Sequence, residues 1–166
     1  MHDVFNWMFE RHQNVWSWYV RPLFLIPFCF FAYKRSAWGI ILTLVALLSS
    51  MFWFPKPRVL DAEVQGFLEM EKEYLTGNWP LSKILLSSLV PLSLFALALA
   101  FWKRSWKYGL ILLNFIAVAK VAWSVVSDEG GMAVVAPALV GLLICDAAIA
   151  VGYFTLQNRR KIRAGR

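Results

Sequence analysis

Hydrophobic residues occur along the chain in long blocks, and short charged or proline-containing segments separate these blocks. Five of the blocks approach the length of a membrane-crossing helix. Because about 20 residues are needed to cross a hydrocarbon core of about 30 Å, the pattern predicts five transmembrane helices. They are placed at residues 15–33, 37–54, 81–102, 109–126 and 133–156.

Two more polar segments, residues 1–14 and 58–76, are predicted to form amphipathic helices that lie in the membrane interface. In the first, Phe9, His12 and Trp16 recur at helical spacing. The second is too charged to cross the membrane, and its apolar face comprises Leu60, Val64, Phe67, Leu68 and Leu75. The predicted fold is therefore an all-α integral membrane protein with a single membrane domain, residues 1–166, and a basic tail at 157–166.

Two helical hairpins, residues 15–54 and 81–126, carry the same landmarks in the same order. Lys34-Arg35-Ser36 in the first recurs as Lys103-Arg104-Ser105 in the second. Pro22, Gly39 and Trp53 likewise have counterparts in Pro91, Gly109 and Trp123, and the offset is one position longer after the turn than before it. Since both hairpins would cross the membrane in the same directions, the pattern predicts a parallel internal duplication followed by a fifth helix.

Charge is distributed unevenly between the two predicted sides of the membrane. One side receives ten basic residues and no acidic residue: Lys34, Arg35, Lys103, Arg104, Lys107, Arg159, Arg160, Lys161, Arg163 and Arg166. The positive-inside rule makes this side cytoplasmic and places the N-terminus outside, as expected for a multi-pass protein of the plasma (inner) membrane. The net charge of +7 is then explained by the orientation of the chain in the lipid bilayer, and no nucleic-acid partner is expected.

Three charged residues, Arg21, Lys120 and Asp146, lie deep within the predicted spans. Counted from the cytoplasmic ends at about 1.5 Å per residue, they are about 16–20 Å deep. Charges at this depth are costly, so we expect them to face one another, with Lys120 paired to Asp146 and Asn114 lining the same interior. Two interpretations remain open: a site for a small anion or a proton, or a structural pair with Arg21 extended towards the interface.

Small residues form a face along the fifth predicted span, at Pro137, Gly141, Cys145, Ala148 and Gly152. Such a face permits close helix packing, either within the bundle or against a partner. By the same depth count, Cys29 and Cys145 differ by about 10 Å and are not expected to form a disulfide.

No arrangement of a nucleophile with a base, cofactor motif or metal-ligand pattern is visible, so no catalytic residue, cofactor or metal is predicted and the chain is not expected to be an enzyme. The nearest metal-type group is His2, Asp3, Glu10 and His12, where His12 is interpreted as an interfacial side chain. The first functional hypothesis is movement of a small anion or protons through the buried polar residues. The alternatives are an accessory or assembly subunit that docks a membrane partner or forms a homo-oligomer, and a lipid-modifying enzyme of the outer face.

Overall fold

The computed structural model describes residues 2–59, 62–127 and 132–164, and the regular structure within these ranges is helical. The predicted turn at 128–131 and the predicted apolar position Leu60 lie outside the described residues. A short 3₁₀ turn, Ser50–Phe52, directly follows the helix that ends at Ser49. The α-helices in chain order are α1 (His2–His12), α2 (Val15–Leu23), α3 (Leu25–Tyr33), α4 (Ala37–Ser49), α5 (Ala62–Thr76), α6 (Leu81–Trp102), α7 (Trp106–Ser127) and α8 (Met132–Ala164).

Four stretches of the described chain are long and apolar enough to cross a membrane, which indicates a multi-pass membrane protein of the predicted all-α class. They are Val15–Tyr33, Leu81–Trp102, Trp106–Val126 and Val134–Arg159. The other predicted span, residues 37–54, corresponds to α4, which has 13 residues. Together with its 3₁₀ turn it extends only about 25 Å.

The first of these stretches is interrupted at Phe24, where α2 ends and α3 begins. Pro27 supplies the reason, because proline has no amide proton to donate to the carbonyl of Leu23, four residues earlier. The helix therefore breaks one turn before the proline. This break separates the half of the helix that carries Arg21 from the half that enters the apolar core.

The two Lys-Arg-Ser turns have the same backbone conformation. Arg35 has φ 57° and Arg104 has φ 58°, which is the left-handed region that usually favours glycine. In each turn the amide of the arginine and that of the following serine bond to carbonyls three and five residues earlier, the pattern of a Schellman motif. A left-handed non-glycine residue costs about 1–2 kcal/mol. An arginine at this position in both turns therefore indicates that each side chain makes contacts that offset the cost.

Each of these arginines reaches the helix end beside the other turn. Arg35 Nε donates to the carbonyl of Trp102, the last residue of α6, over 3.1 Å. The Arg104 guanidinium lies 5.5 Å from the ring of Tyr33, the last residue of α3. Since Tyr33 and Trp102 each directly precede the Lys-Arg-Ser sequence of their own hairpin, the two contacts are reciprocal.

Glycines allow the two hairpins to close tightly. A Cβ on Gly39 would lie 2.3 Å from the ring of Phe31, and a Cβ on Gly109 would lie 2.7 Å from the ring of Phe101. Gly39 is the third residue of α4, whereas Gly109 is the fourth residue of α7. The two helices therefore present their glycines one position out of register while keeping the same glycine–phenylalanine contact.

Helices α7 and α8 pack antiparallel in a register that two contacts define. Asn114 Nδ2 donates to Asp146 Oδ1 over 3.1 Å, and the rings of Trp106 and Tyr153 are 5.6 Å apart. Trp106 is the first residue of α7, so α8 continues beyond this point through residues 154–164, by about 16 Å. The helix of the fifth predicted span therefore continues past residue 156, and the predicted tail is helical as far as Ala164.

The apolar core occupies the half of the bundle next to the two Lys-Arg-Ser turns, which we call the basic end. It comprises Phe28, Cys29, Ala32, Leu97, Phe101, Leu113, Cys145 and Ile149. The opposite end, formed by α1, α5 and the starts of α2, α6 and α8, is called the acidic end. There α6 leaves most of its side chains exposed, and its buried residues are only those near the basic end.

Candidate functional site

Polar side chains from four helices converge at the acidic end: His12 from α1, Arg21 from α2, Glu71 from α5 and Lys120 from α7. We call this group the polar cleft. Contacts to the chain after α4 hold α1 in place, since Arg11 donates to the carbonyl of Phe52 over 3.0 Å. An apolar cluster of Phe9, Trp18, Val64 and Leu68 packs α1, α2 and α5 together beside the cleft.

His12 is the centre of the cleft and is buried, with only 3% of its surface exposed. Its carbonyl accepts the indole proton of Trp18 over 3.0 Å, which fixes the end of α1 on α2. Arg21 Nη1 lies 3.0 Å from His12 Nε2. Because a guanidinium only donates, Nε2 must be the acceptor and therefore carries no proton. The ring proton then sits on Nδ1, which faces the Ser17 hydroxyl at 3.5 Å.

This tautomer leaves Glu71 without a donor. Glu71 Oε2 lies 3.6 Å from His12 Nε2, but this nitrogen carries no proton that it could donate to the carboxyl group. Oε2 is buried and has no hydrogen-bond partner, and the same is true of Arg21 Nε. The cleft therefore contains an acceptor that lacks a donor and a donor that lacks an acceptor, and buried polar atoms of this kind are rare in folded proteins.

Burial also shifts the pKa values of His12 and Glu71, the two members of the polar cleft that lie outside the predicted spans. It lowers the pKa of His12 to about 3, and the positive charges of Arg21 and Lys120 act in the same direction. His12 is thus neutral at pH 7, and its approach to Glu71 is not an ion pair. Burial raises the pKa of Glu71, while the charges of Arg21 and Lys120 partly offset this effect.

Lys120 is exposed, yet it lies on the inward side of α7. It follows the buried residues Gly109 and Leu113 by eleven and seven positions, which are close to three and two helical turns. The exposure of Lys120 therefore opens into the space between the helices. Its electrostatic action on His12 and Glu71 agrees with this position.

The predicted polar residues fall into two groups. Arg21 and Lys120 belong to the polar cleft, whereas Asn114 and Asp146 contact each other nearer the basic end. Among the described residues no ion pair joins Lys120 to Asp146. The depth count took Gln157 as the inner end of the fifth span, but the register of α7 and α8 places Asp146 opposite Asn114. It is thus six residues, or about 9 Å, nearer the basic end than Lys120.

The same shift brings Cys145 nearer to the level of Cys29 than the depth count placed it. Both are buried in one core cluster, and both are free cysteines. Cys145 Sγ donates to the carbonyl of Pro22 over 3.3 Å.

The small-residue face of α8 meets α2 within the bundle. A Cβ on Gly141 would lie 2.3 Å from Pro22 Cβ, so only glycine allows this approach. Pro137 is buried like Gly141 and Cys145, and Ala148 and Gly152 are half-buried. This contact supports the interpretation of intramolecular packing and holds α2, with Arg21, against α8.

Two members of the cleft were missed at the sequence level although the pattern contained a signal for each. His12 follows the apolar residue Phe9 by three positions, so it lies on the apolar face of α1 and is buried rather than interfacial. Glu71 follows Val64 and Leu68 by seven and three positions and lies on the buried face of α5. A polar residue in the apolar stripe of an amphipathic helix is the signal that both share.

The hydroxyl of Ser17 faces His12, which in turn lies beside Glu71, and this order resembles the nucleophile, base and acid of a catalytic triad. The geometry does not suit nucleophilic catalysis, because the ring nitrogen that faces Ser17 carries the proton and cannot accept another. Ser17 is also fully buried, out of reach of a substrate. Within the described residues, no three His, Cys, Asp or Glu side chains group as a metal site.

Comparison with known proteins finds no matching family model, no matching curated protein and no matching solved structure. The function is therefore inferred from the chemistry of the residues themselves.

Proposed function

We propose that this membrane protein binds a small oxyanion carrying an acidic proton, such as hydrogen phosphate, in the polar cleft. Binding would be the first step in moving the anion, or its proton, across the membrane. The observation that carries the proposal is the pair of unpartnered buried atoms, Arg21 Nε and Glu71 Oε2. A ligand with both an acceptor oxygen and an O–H group satisfies both atoms at once.

The formal charges of the cleft favour such a ligand. Arg21 and Lys120 are basic, Glu71 is acidic and His12 is neutral, which leaves a net positive charge for an anion. An oxyanion can engage Arg21 through the unpartnered Nε while Nη1 keeps its contact with His12 Nε2, 3.0 Å away. The proton that enters the cleft is then the acidic proton of the ligand itself, which its O–H group donates to Glu71 Oε2.

The proposal includes the five-span arrangement, with the basic end in the cytoplasm, the N-terminus outside, and two parallel, duplicated hairpins. α4 is included as a span because it begins at a basic turn, and the 3₁₀ turn after it contacts α1 at the acidic end through Trp7 and Phe52, whose rings are 5.5 Å apart. The ten basic residues at one end support the orientation. The reciprocal arginine contacts support the duplication.

Thermal stability of the purified protein in inorganic phosphate tests the binding step. A ligand that binds only the folded state raises the melting temperature with concentration. We expect this rise for the wild type and for Asp146→Asn, which lies outside the cleft, and its loss in Arg21→Gln and Lys120→Met. Equal stabilisation of all four proteins would refute binding in the cleft.

Proteoliposomes with an internal pH dye test the transport step. An inward phosphate gradient should acidify the lumen with the wild type and not with Arg21→Gln. Phosphate binding without any flux would leave the cleft as a binding site and reject transport.

A docking function is the second candidate, and α6 is the observation that favours it. Its half near the acidic end exposes apolar residues on several sides, including Leu85, Leu89 and Val90. A membrane partner that packs on this surface would make the chain an accessory subunit. A photo-crosslinker at position 89 should then give a single discrete product in native membranes, whereas one at the buried position 97 should give none.

A further inference from the structure

A cavity lies at the basic end, at the opposite end of the bundle from the polar cleft. It has a volume of about 320 Å³ and is partly open to the surroundings. It is bordered by the end of α3, the second Lys-Arg-Ser turn, the start of α7 and the part of α8 that extends beyond α7. The residues that line it are Tyr33, Arg104, Trp106, Tyr153, Leu156 and Gln157.

Three aromatic rings form a continuous wall of this cavity. The rings of Tyr33 and Trp106 are 4.9 Å apart, and those of Trp106 and Tyr153 are 5.6 Å apart. Gln157 donates to the hydroxyl of Tyr153, which fixes both polar groups at the cavity. The wall thus combines flat apolar surface with hydroxyl and amide groups, a combination suited to the boundary between hydrocarbon and water.

Arg104 supplies the charge of the cavity, and its counterpart Arg35 shows what is unusual about it. Both occupy the same left-handed position of their turns. Arg35 uses its guanidinium to cap α6. Arg104 stacks on the ring of Tyr33, and within the described ranges its guanidinium donates no hydrogen bond to the protein. Its donors therefore remain available to a ligand in the cavity.

Charge identifies the ligand as an anion. The two Lys-Arg-Ser turns, Lys107 and the described part of the tail carry nine basic residues and no acidic residue. The cavity lies where the helices leave the apolar core, and a membrane-spanning bundle is expected to meet lipid headgroups there. Basic residues at such a level attract anionic lipid, and a guanidinium binds phosphate through charge-assisted hydrogen bonds.

We propose that this cavity binds the headgroup of one anionic phospholipid, such as phosphatidylglycerol, from the leaflet at the basic end. Arg104 binds the phosphate. Tyr153 and Gln157 bind the polar part of the headgroup, and the aromatic wall packs against its glycerol backbone. The site requires neither the polar cleft nor transport.

Native mass spectrometry of the full-length protein, released from bilayers of phosphatidylglycerol and phosphatidylcholine, tests the proposal. The wild type should retain one phosphatidylglycerol. Arg104→Gln should retain it about tenfold less, because a charge-assisted contact is lost. The matched control is Lys103→Gln, which removes the same charge from the adjacent exposed residue that does not line the cavity.

If both variants lost the same amount of bound phosphatidylglycerol, the lipid would be held by diffuse charge attraction, and the proposed site would be overturned. Unchanged lipid retention in both variants would also overturn it. Displacement of the lipid by millimolar inorganic phosphate would instead assign the cavity to a soluble phosphate compound, against the proposal. If Arg104→Gln does not fold, Gln157→Ala is measured in its place, and unchanged lipid retention in that variant also overturns the assignment.

Discussion

At the basic end, α3, α6, α7 and α8 bury apolar side chains against one another, whereas at the acidic end α6 is largely exposed and polar side chains occupy the space between helices. The packed half contains the two matching turns and the reciprocal arginine contacts. The open half contains the unpartnered buried atoms. The contrast indicates that one half holds the bundle together and thereby allows the other half to keep polar groups that add little to stability.

Two leucines on α6 provide the strongest test of this contrast. Leu97 is 1% exposed in the core, and Leu89 is 58% exposed towards the acidic end. Removing a core leucine from a soluble protein costs about 2–5 kcal/mol, and the part due to the cavity remains in a bilayer. We expect Leu97→Ala to lower the melting temperature in detergent strongly and Leu89→Ala to change it little. Similar losses in both variants would mean that the open half is packed as well.

The pH dependence of stability tests the protonation of the cleft. Because the folded pKa of His12 is about 3, the unfolded chain alone binds this proton between about pH 6.5 and 3, so stability falls as the pH is lowered through that window. At 1.36 kcal/mol per pH unit, the loss from pH 6.5 to 4.5 is about 2–3 kcal/mol. The raised pKa of Glu71 has the opposite sign, since its contribution is lost as the pH rises above about 4.5.

The variant Glu71→Gln therefore isolates the effect of His12. Chemical or thermal unfolding of this variant should lose stability more steeply below pH 6.5 than the wild type does. His12→Gln should remove the loss, because glutamine can still accept from Arg21. A curve for His12→Gln that matches the wild type would show that His12 is not buried in its neutral form.

Double-mutant cycles give the smallest expected effect and test which residues share the cleft. Lys120→Met and Glu71→Gln should show a coupling energy of about 0.5–3 kcal/mol, because residues in one electrostatic network are not additive. Lys120→Met and Asp146→Asn should be additive, and Asp146→Asn alone should cost little, since the amide keeps an oxygen for Asn114. If the second of these two changes recovered stability that the first had lost, the result would support the predicted pairing of Lys120 with Asp146.

The sequence predicted the helices well because a span is determined by the local length and polarity of the chain. The bounds of α6 agree with residues 81–102, and the first stretch agrees with 15–33. The break at Phe24 was not predicted, although Pro27 is visible in the sequence. A proline gives the position of a break only when the helix is known to continue on both sides of it.

The site was harder to predict because it depends on the register between helices. The depth count placed Arg21, Lys120 and Asp146 together, whereas the contact between Asn114 and Asp146 lies nearer the basic end than Lys120. The count began at Gln157, but α8 continues to Ala164, so the basic residues after Gln157 do not mark the end of the helix. Glu71 was not predicted to be a site residue, since its burial depends on how α5 lies against the bundle.

The reciprocal contacts of Arg35 and Arg104 also bear on ancestry. The arginine of each hairpin contacts the last helical residue before the Lys-Arg-Ser sequence of the other hairpin. Two identical copies of one hairpin could make the same pair of contacts. A gene for a single hairpin would then have encoded a two-fold symmetric dimer. Residues 15–54 expressed alone should dimerise in detergent, and a monomer would argue against this origin. Fusion of two such genes would have released the turns from having to be identical, so that one arginine kept its capping role while the other became free to acquire a ligand.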